Sequence, residues 1–199
     1  MVDQSVIRKK IQAARAALSD AQQAQYSLSM CQQIIDSGVL ESATHIAFYL
    51  PVRGEADPTY LQSVKTLSNK QFYLPILSSS SNGYLAFAHY TKHTQMTLNR
   101  FNIPEPDVNQ NDLLTDPRKL DAVIMPMVAI DRFGNRIGMG GGFYDRTFAF
   151  RKEEKGNPQL IAFAYDLQII EPQIPQPWDV PADVIASQSD FINLSNDSK

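Results

Sequence analysis

Arg136, Asp145 and Arg146 stand within one glycine-rich run, Gly134-Asn135-Arg136-Ile137-Gly138-Met139-Gly140-Gly141-Gly142-Phe143-Tyr144-Asp145-Arg146. Two guanidinium groups, a carboxylate and a stretch without side chains suit phosphate chemistry. Five of the chain's nine glycines lie between Gly134 and Gly142, where backbone N–H groups can converge on phosphate oxygens with no Cβ in the way. Ordering three consecutive glycines costs backbone entropy, and a bound anion is the candidate compensation. Arginine forks match phosphate oxygens. The spacing predicts a helix over Phe143–Phe150, whose N-terminal dipole would face the same phosphate. Asp145 would then reach a Mg²⁺ carried by the phosphates. The run is not a Walker A loop, because no Gly-Lys-Ser/Thr follows. Nor is it a dinucleotide fingerprint, because the Gly-x-Gly-x-x-Gly spacing is broken.

A second chemical set is acidic. The apolar run His45–Leu50 leads into Pro51-Val52-Arg53-Gly54-Glu55-Ala56-Asp57-Pro58. Glu55 and Asp57 could accept N–H donors of a second ligand, or Asp57 could simply cap a helix begun by Pro58. His89 and His93 lie near a strand pattern with no cysteine or carboxylate–histidine set beside them, which argues against a metal there. Cys31 is the single cysteine, so no internal disulfide forms, and its surroundings suggest a small buried hydrophobe.

These residues need a scaffold. A helix is expected over Gln4–Leu18, with Ile7, Ile11, Ala14 and Leu18 on one side and Arg8, Lys9, Lys10 and Arg15 over the rest. Arg8 and Arg15 share a face, either as a solvated basic surface or as an arm reaching phosphate. Ser19 caps a second helix, Asp20–Asp36, with Ala24, Leu28, Cys31 and Ile35 inward and Gly38 as its stop. Pro58 starts another helix to about Ser68. Strands are read at His45–Leu50, Gln71–Leu77, Tyr84–Tyr90, Leu120–Met125 and Leu160–Tyr165, with a final edge strand at Asp183–Ser187. Ser78–Ser81 reads as the connection within a strand pair. Asn99–Pro106 reads as irregular, Arg151–Asn157 as a solvated linker and the tail beyond Asn193 as frayed. Glu171–Pro181 holds four of the 12 prolines and the only tryptophan. It is either a wrap over the core or a wall of the substrate site.

Alternating strands and helices imply an α/β fold: a single three-layer α/β/α domain over residues 1–199, with a largely parallel central sheet. The 199 residues suffice for one good core. A net charge of −3 argues against a general nucleic-acid binder. No leader-like or membrane-spanning apolar stretch is found, so a cytoplasmic protein without membrane contact is expected, and a monomer. Taken alone, the residues indicate an ATP-using enzyme acting on a small molecule.

The run Gly134–Arg146 resembles the signature of the 5-formyltetrahydrofolate cyclo-ligase (methenyltetrahydrofolate synthetase) family. The resemblance spans nearly the whole chain. The basic N-terminal helix, the loop with Glu55 and Asp57, the Asn102–Pro106 loop and Pro177-Trp178-Asp179-Val180-Pro181 follow in the family's order. It implies closure of 5-formyltetrahydrofolate to 5,10-methenyltetrahydrofolate at the expense of ATP, through a phosphorylated formyl group. It assigns the ATP phosphates to Arg136, Ile137, Gly138, Met139, Gly140, Gly141, Gly142, Phe143 and Tyr144, with Arg8 reaching ATP from the first helix. Arg136, Gly140 and Arg146 would serve the chemistry. Val52, Glu55 and Asp57 would hold the folate together with Met139–Phe143, and Asp145 and Asp179 would hold Mg²⁺. Two departures stand out. Gln4 occupies the position four before Arg8 where the family usually carries a basic residue, and the middle of the glycine loop lacks the lysine or arginine of some relatives. The same loop could instead serve a ligase or kinase for another small molecule, or a non-catalytic nucleotide- or folate-binding module.

Overall fold

The computed structural model describes residues 3–77, 83–154 and 156–196; the serine connection expected at Ser78–Ser81 lies outside them. Two helices open the chain. α1 (Gln4–Ala16) is capped by Asp3, whose side chain accepts the Ser5 N–H at 2.8 Å. α2 (Asp20–Asp36) begins with a reciprocal Ser19/Gln22 capping box. It ends before Gly38, which takes a left-handed φ of 69°.

The strands follow: β1 (His45–Ala47), β2 (Gln71–Leu77), β3 (Leu85–Tyr90), β4 (Met96–Leu98), β5 (Pro104–Pro106), β6 (Ala122–Met125), β7 (Ala129–Asp131), β8 (Arg136–Ile137), β9 (Gln159–Phe163), β10 (Ile169–Ile170), β11 (Val184–Ala186) and β12 (Phe191–Asn193). The short helix α3 (Phe143–Thr147) lies between β8 and β9. Seven strands form the main sheet in the order β12-β11-β9-β6-β1-β2-β3. Its five central strands are parallel, and β3 and β12 run antiparallel at the edges.

Period-2 alternation divides the core between two faces. Ile46, Phe72, Ile124 and Phe163 point to α2, where Met30, Cys31 and Ile34 are fully buried. Burying Met30 or Ile34 contributes about 1.5–3 kcal/mol each. Ala47, Tyr73, Val123 and Ala162 point the other way, onto Phe148 just after α3. This is the expected three-layer order. α1 packs apart from both, laying Ile11 against Val128 and against Ala129 and Ile137 of a small three-stranded sheet, β10-β7-β8.

Several expectations are corrected. The inward face of α2 is Ser27, Met30, Cys31 and Ile34, while Leu28 is exposed. The reason is polar: the buried Ser27 hydroxyl donates to Gln23 O and accepts the Asp57 N–H, which turns that face inward. Residues after Pro58 form two 3₁₀ turns, Thr59–Ser63 and Lys65–Leu67, rather than a helix. Part of Asn99–Pro106 is ordered as β5, paired with β4. The helix after the glycines ends at Thr147 and passes into a 3₁₀ turn, Ala149–Lys152. Within the supposed linker, Arg151 grips both oxygens of Asp183. β11 is not an edge strand, because β12 covers it. Beyond Asn193 the chain continues as a 3₁₀ turn, Leu194–Asn196. Among the described residues no helix is long and apolar enough to cross a membrane.

Candidate functional site

The sequence order of the parallel strands reverses beside β1. The chain passes from β1 to β2 on one side, then crosses back to β6 on the other and continues to β9 and β11. Loops leaving β1 and β6 therefore diverge at the strands' carboxyl ends, the usual place for a crevice in such sheets. A cavity of about 420 Å³ opens there. Val52 and Glu55 of the loop after β1, Pro126 and Met127 after β6, and Gly138, Met139, Gly141 and Gly142 of the glycine loop line it. Leu74 and Leu77 of β2, with Phe101 and Ile103 of the β4–β5 connection, add an apolar wall.

The glycine loop is set up by Asp131, which the sequence places in the turn Asp131–Asn135 without assigning its carboxylate a role. It is fully buried, and its carboxylate accepts the N–H groups of Phe133, Asn135 and Gln173 and the Asn135 amide. The signal for it was Asp131-Arg132-Phe133-Gly134-Asn135, a side-chain-bonded turn. Gly134 belongs to this turn and not to the loop's ligand face: at φ 87° a Cβ would lie 2.6 Å from Ala182 O. Beyond β8, no acceptor is found among the described residues for the backbone N–H groups of Gly138 to Gly142. A cradle of free donors is what an anion site requires.

Arg136 is nearly buried. Its Nη2 donates to Asp145 Oδ1 at 2.6 Å and its Nη1 to Val180 O at 2.7 Å. Burial pushes its guanidinium below the usual value, Asp145, Tyr144 and Asp179 oppose this, and it stays charged. Asp145 Oδ1 also accepts the Val180 N–H, at 3.2 Å. Arg136, Asp145 and the neighbour of Asp179 thus form one knot, which ties the end of the Glu171–Pro181 segment to the site. Trp178 within that segment stays exposed. No group of three His, Cys, Asp or Glu side chains that could hold a metal occurs among the described residues. Asp145 borders the cavity, whereas Asp179 does not, and its Oδ2 accepts the Gln176 N–H at 2.8 Å.

Arg8 meets the loop from α1. Its Nε donates to Gly138 O at 2.8 Å, and Gln4, the departure from the family pattern, accepts from its Nη2 at 3.0 Å. Lys9 and Lys10 are exposed. Met139 is half exposed at the loop tip, with Gln12 donating to its sulfur. Ile137 turns into the core, so only its backbone is available to a ligand. Tyr144 lies under Arg136, and burial pushes its hydroxyl well above the usual value.

Arg8, Asp57, Ile137, Gly140, Arg146 and Asp179 do not line the cavity. Arg146 is exposed, clips Gly83 O to Gly141 O, and borders a separate, more open depression of about 510 Å³. Asp57 is the cap that the bland reading described: its Oδ1 accepts the Thr59 N–H, and the cavity wall does not include it. Of Asp57 and Glu55, Glu55 is the one in the wall, which Asp145 also joins. Its Oε2 accepts the Val52 N–H at 3.1 Å. Burial raises its pKa, against the Val52 N–H and the charges of Arg15 and Arg53.

Arg15 was read as part of a basic surface or arm, yet its side chain is 2% exposed. It continues the Ile7–Ile11 stripe at four-residue spacing, which was the available signal. Cys31 is buried as expected, its thiol pushed up to about 12 by burial.

Comparison with known proteins follows the same lines. The family model for the 5-formyltetrahydrofolate cyclo-ligase family matches residues 1–188. The 5-formyltetrahydrofolate cyclo-ligase of Haemophilus influenzae is 37% identical over 175 residues, spanning 88% of this chain and 92% of the relative. That of Escherichia coli K12 is 34% identical over 175 residues, spanning 88% and 94%. The solved structure of Aquifex aeolicus 5,10-methenyltetrahydrofolate synthetase superposes with a TM-score of 0.77 at 25% identity, covering 96% of this chain and 92% of that one.

Proposed function

Because the chain belongs to the 5-formyltetrahydrofolate cyclo-ligase family, we propose that it closes 5-formyltetrahydrofolate to 5,10-methenyltetrahydrofolate with ATP, releasing ADP and phosphate. The observation that carries this is the pairing of a donor-rich glycine loop with a buried carboxylate across one cavity. The cavity's apolar wall suits a pterin ring. Glu55 accepts the ring's N–H-bearing edge, beside Val52. The backbone N–H groups of Gly138 to Gly142 take the nucleotide's phosphates, with Phe143 at the boundary between the two ligands.

The formyl oxygen attacks the γ-phosphorus and ADP leaves. N10 then adds to the activated formyl carbon, loses its proton, and phosphate departs. Such chemistry needs alignment and charge neutralisation more than a protein nucleophile. Arg136 fixes Asp145, and Arg8 fixes the loop through Gly138 O. Arg146 ties the loop to the start of β3, and Asp57 shapes the segment bearing Glu55. Asp145 and Asp179 would hold Mg²⁺, which supplies neutralisation of phosphate charge. The working form is a cytoplasmic monomer.

The test is spectroscopic. Purified protein, 5-formyltetrahydrofolate, Mg²⁺ and ATP should give the near-ultraviolet band of the methenyl product, and the ATP-free control should not. Nucleotide binding without that band would move the assignment to a ligase of another substrate. Asp145→Asn should raise the Mg²⁺ concentration needed for half-maximal rate about ten-fold; an unchanged titration would remove Asp145 from the metal site.

A further inference from the structure

Arg15 is a fully buried charge with an incomplete set of partners. Its Nε and Nη1 are shielded from solvent and make no hydrogen bond. Among the described residues the carboxylate paired with it is Glu55, with Nη1 3.8 Å from Oε1 and the two side chains 2% and 10% exposed. That separation is an ion pair but too long for a charge-assisted hydrogen bond of about 2.7–2.9 Å. A buried guanidinium left this way is costly and persists where something else depends on it. Its position indicates what that is. Arg8 and Arg15 lie two turns apart on α1, and where Arg8 holds the glycine loop, Arg15 faces the loop after β1. Arg15 borders the same cavity as Glu55 and its flanks.

We propose that Arg15 is a positioning residue for the substrate-binding carboxylate, holding Glu55 charged and turned toward the N–H-bearing edge of the pterin. This rests on the reading of Glu55 given above. Arg15 touches no reacting atom and acts through Glu55. The groups facing Glu55 are Arg15 from α1, Arg53 and Tyr49 from its own segment, Tyr144 from α3 and Tyr165 after β9. The three tyrosines are held neutral by burial, so Arg15 and Arg53 are the cations that oppose the upward push of burial on Glu55. Arg53 is exposed and screened by water. Arg15 is the shielded one. Its loss lets the Glu55 carboxyl titrate higher, and the neutral acid no longer accepts two N–H bonds.

The experiment is the pH profile of kcat/KM for 5-formyltetrahydrofolate in the full-length protein. Arg15→Gln should raise KM for the folate about ten-fold at pH 7. It should also move the acid limb up by about one pH unit and leave KM for ATP unchanged. Arg15→Lys, which keeps the charge, should restore the limb. Should Arg15→Gln not fold, the Arg15→Met/Glu55→Gln double variant, which buries no unpaired charge, is compared with Glu55→Gln alone. Equal folate KM values in those two support the proposal, because Arg15 then acts only through Glu55. An unmoved acid limb in Arg15→Gln, or a further rise in KM in the double variant, overturns it. Absence of turnover in the wild-type protein would instead overturn the proposed function.

Discussion

At the amino ends of the parallel strands, Asp121 and Asp183 each precede a strand and pin the start of its neighbour. Asp121 Oδ2 accepts the N–H groups of Thr44 and His45, both at 2.8 Å, and its Oδ1 accepts from Asn157. Asp183 Oδ2 accepts the Leu160 N–H, and both its oxygens accept from Arg151. At the carboxyl ends the bonding is incomplete. Arg15 Nε and Nη1 make no hydrogen bond, Glu55 is pushed toward its neutral form, and the glycine N–H groups find no acceptor among the described residues. The same sheet thus has one end bonded mostly by its own side chains, with Arg151 Nε left over, and another that a ligand would complete. Buried polar groups that are satisfied stabilise the fold; those left unsatisfied mark where binding energy is to be gained.

Substitutions at the two ends should therefore separate activity from stability. The largest effect is expected at the open end. A Cβ on Gly141 would come within 2.7 Å of the Phe143 ring and not, as the bare sequence suggests, first against phosphate. Gly141→Ala should displace Phe143 and the loop and lower kcat/KM for ATP about 100-fold. Because the loop is exposed, the thermal midpoint should hardly move. Normal turnover would break the assignment of the loop as the phosphate cradle.

Asp121→Asn should do the reverse. It should cost about 1–2 kcal/mol in denaturant unfolding at pH 7 and leave kcat/KM of the folded protein unchanged. Burial pushes the Asp121 carboxyl up, but the N–H groups of His45 and Thr44 and the nearby imidazole hold it below its ordinary 3.8. Its contribution is therefore present above that value and lost as pH falls through the lower folded-state value. The difference between wild type and variant should shrink over that acid range. A difference independent of pH would show that the carboxylate charge is not what pins β1. The smallest effect is expected from Arg118→Ala. Arg118 grips Glu154 with two bonds, but both side chains are about half exposed. Screening by water should leave its removal undetectable in thermal melts and turnover alike; a clear loss would mean that surface pairs count at this site.

Local signals were readable directly. The Ser19 cap, the Gly38 stop, strand β2 and the glycine loop all depend on residues within a few positions of one another. The parallel α/β architecture followed from their alternation. Other features depend on contacts between distant segments. Arg15 and Glu55 are 40 positions apart, and nothing local distinguishes a buried arginine from a solvated one. The inward face of α2 is set by Ser27 meeting the Asp57 backbone, a contact that helical periodicity cannot anticipate. The small sheet of β7, β8 and β10 rests on strands of two or three residues, too short for a pattern to register. Between Glu55 and Asp57, two positions apart and alike in charge, the sequence offered Asp57 before Pro58 as a cap but did not decide which carboxylate meets the ligand. The course of the chain after β1 turned one carboxylate into the cavity and left the other as a cap. Residue types and spacing determined which chemistry the chain carries. Packing decided which copies of each group are desolvated, and desolvation is what gives a charge its strength.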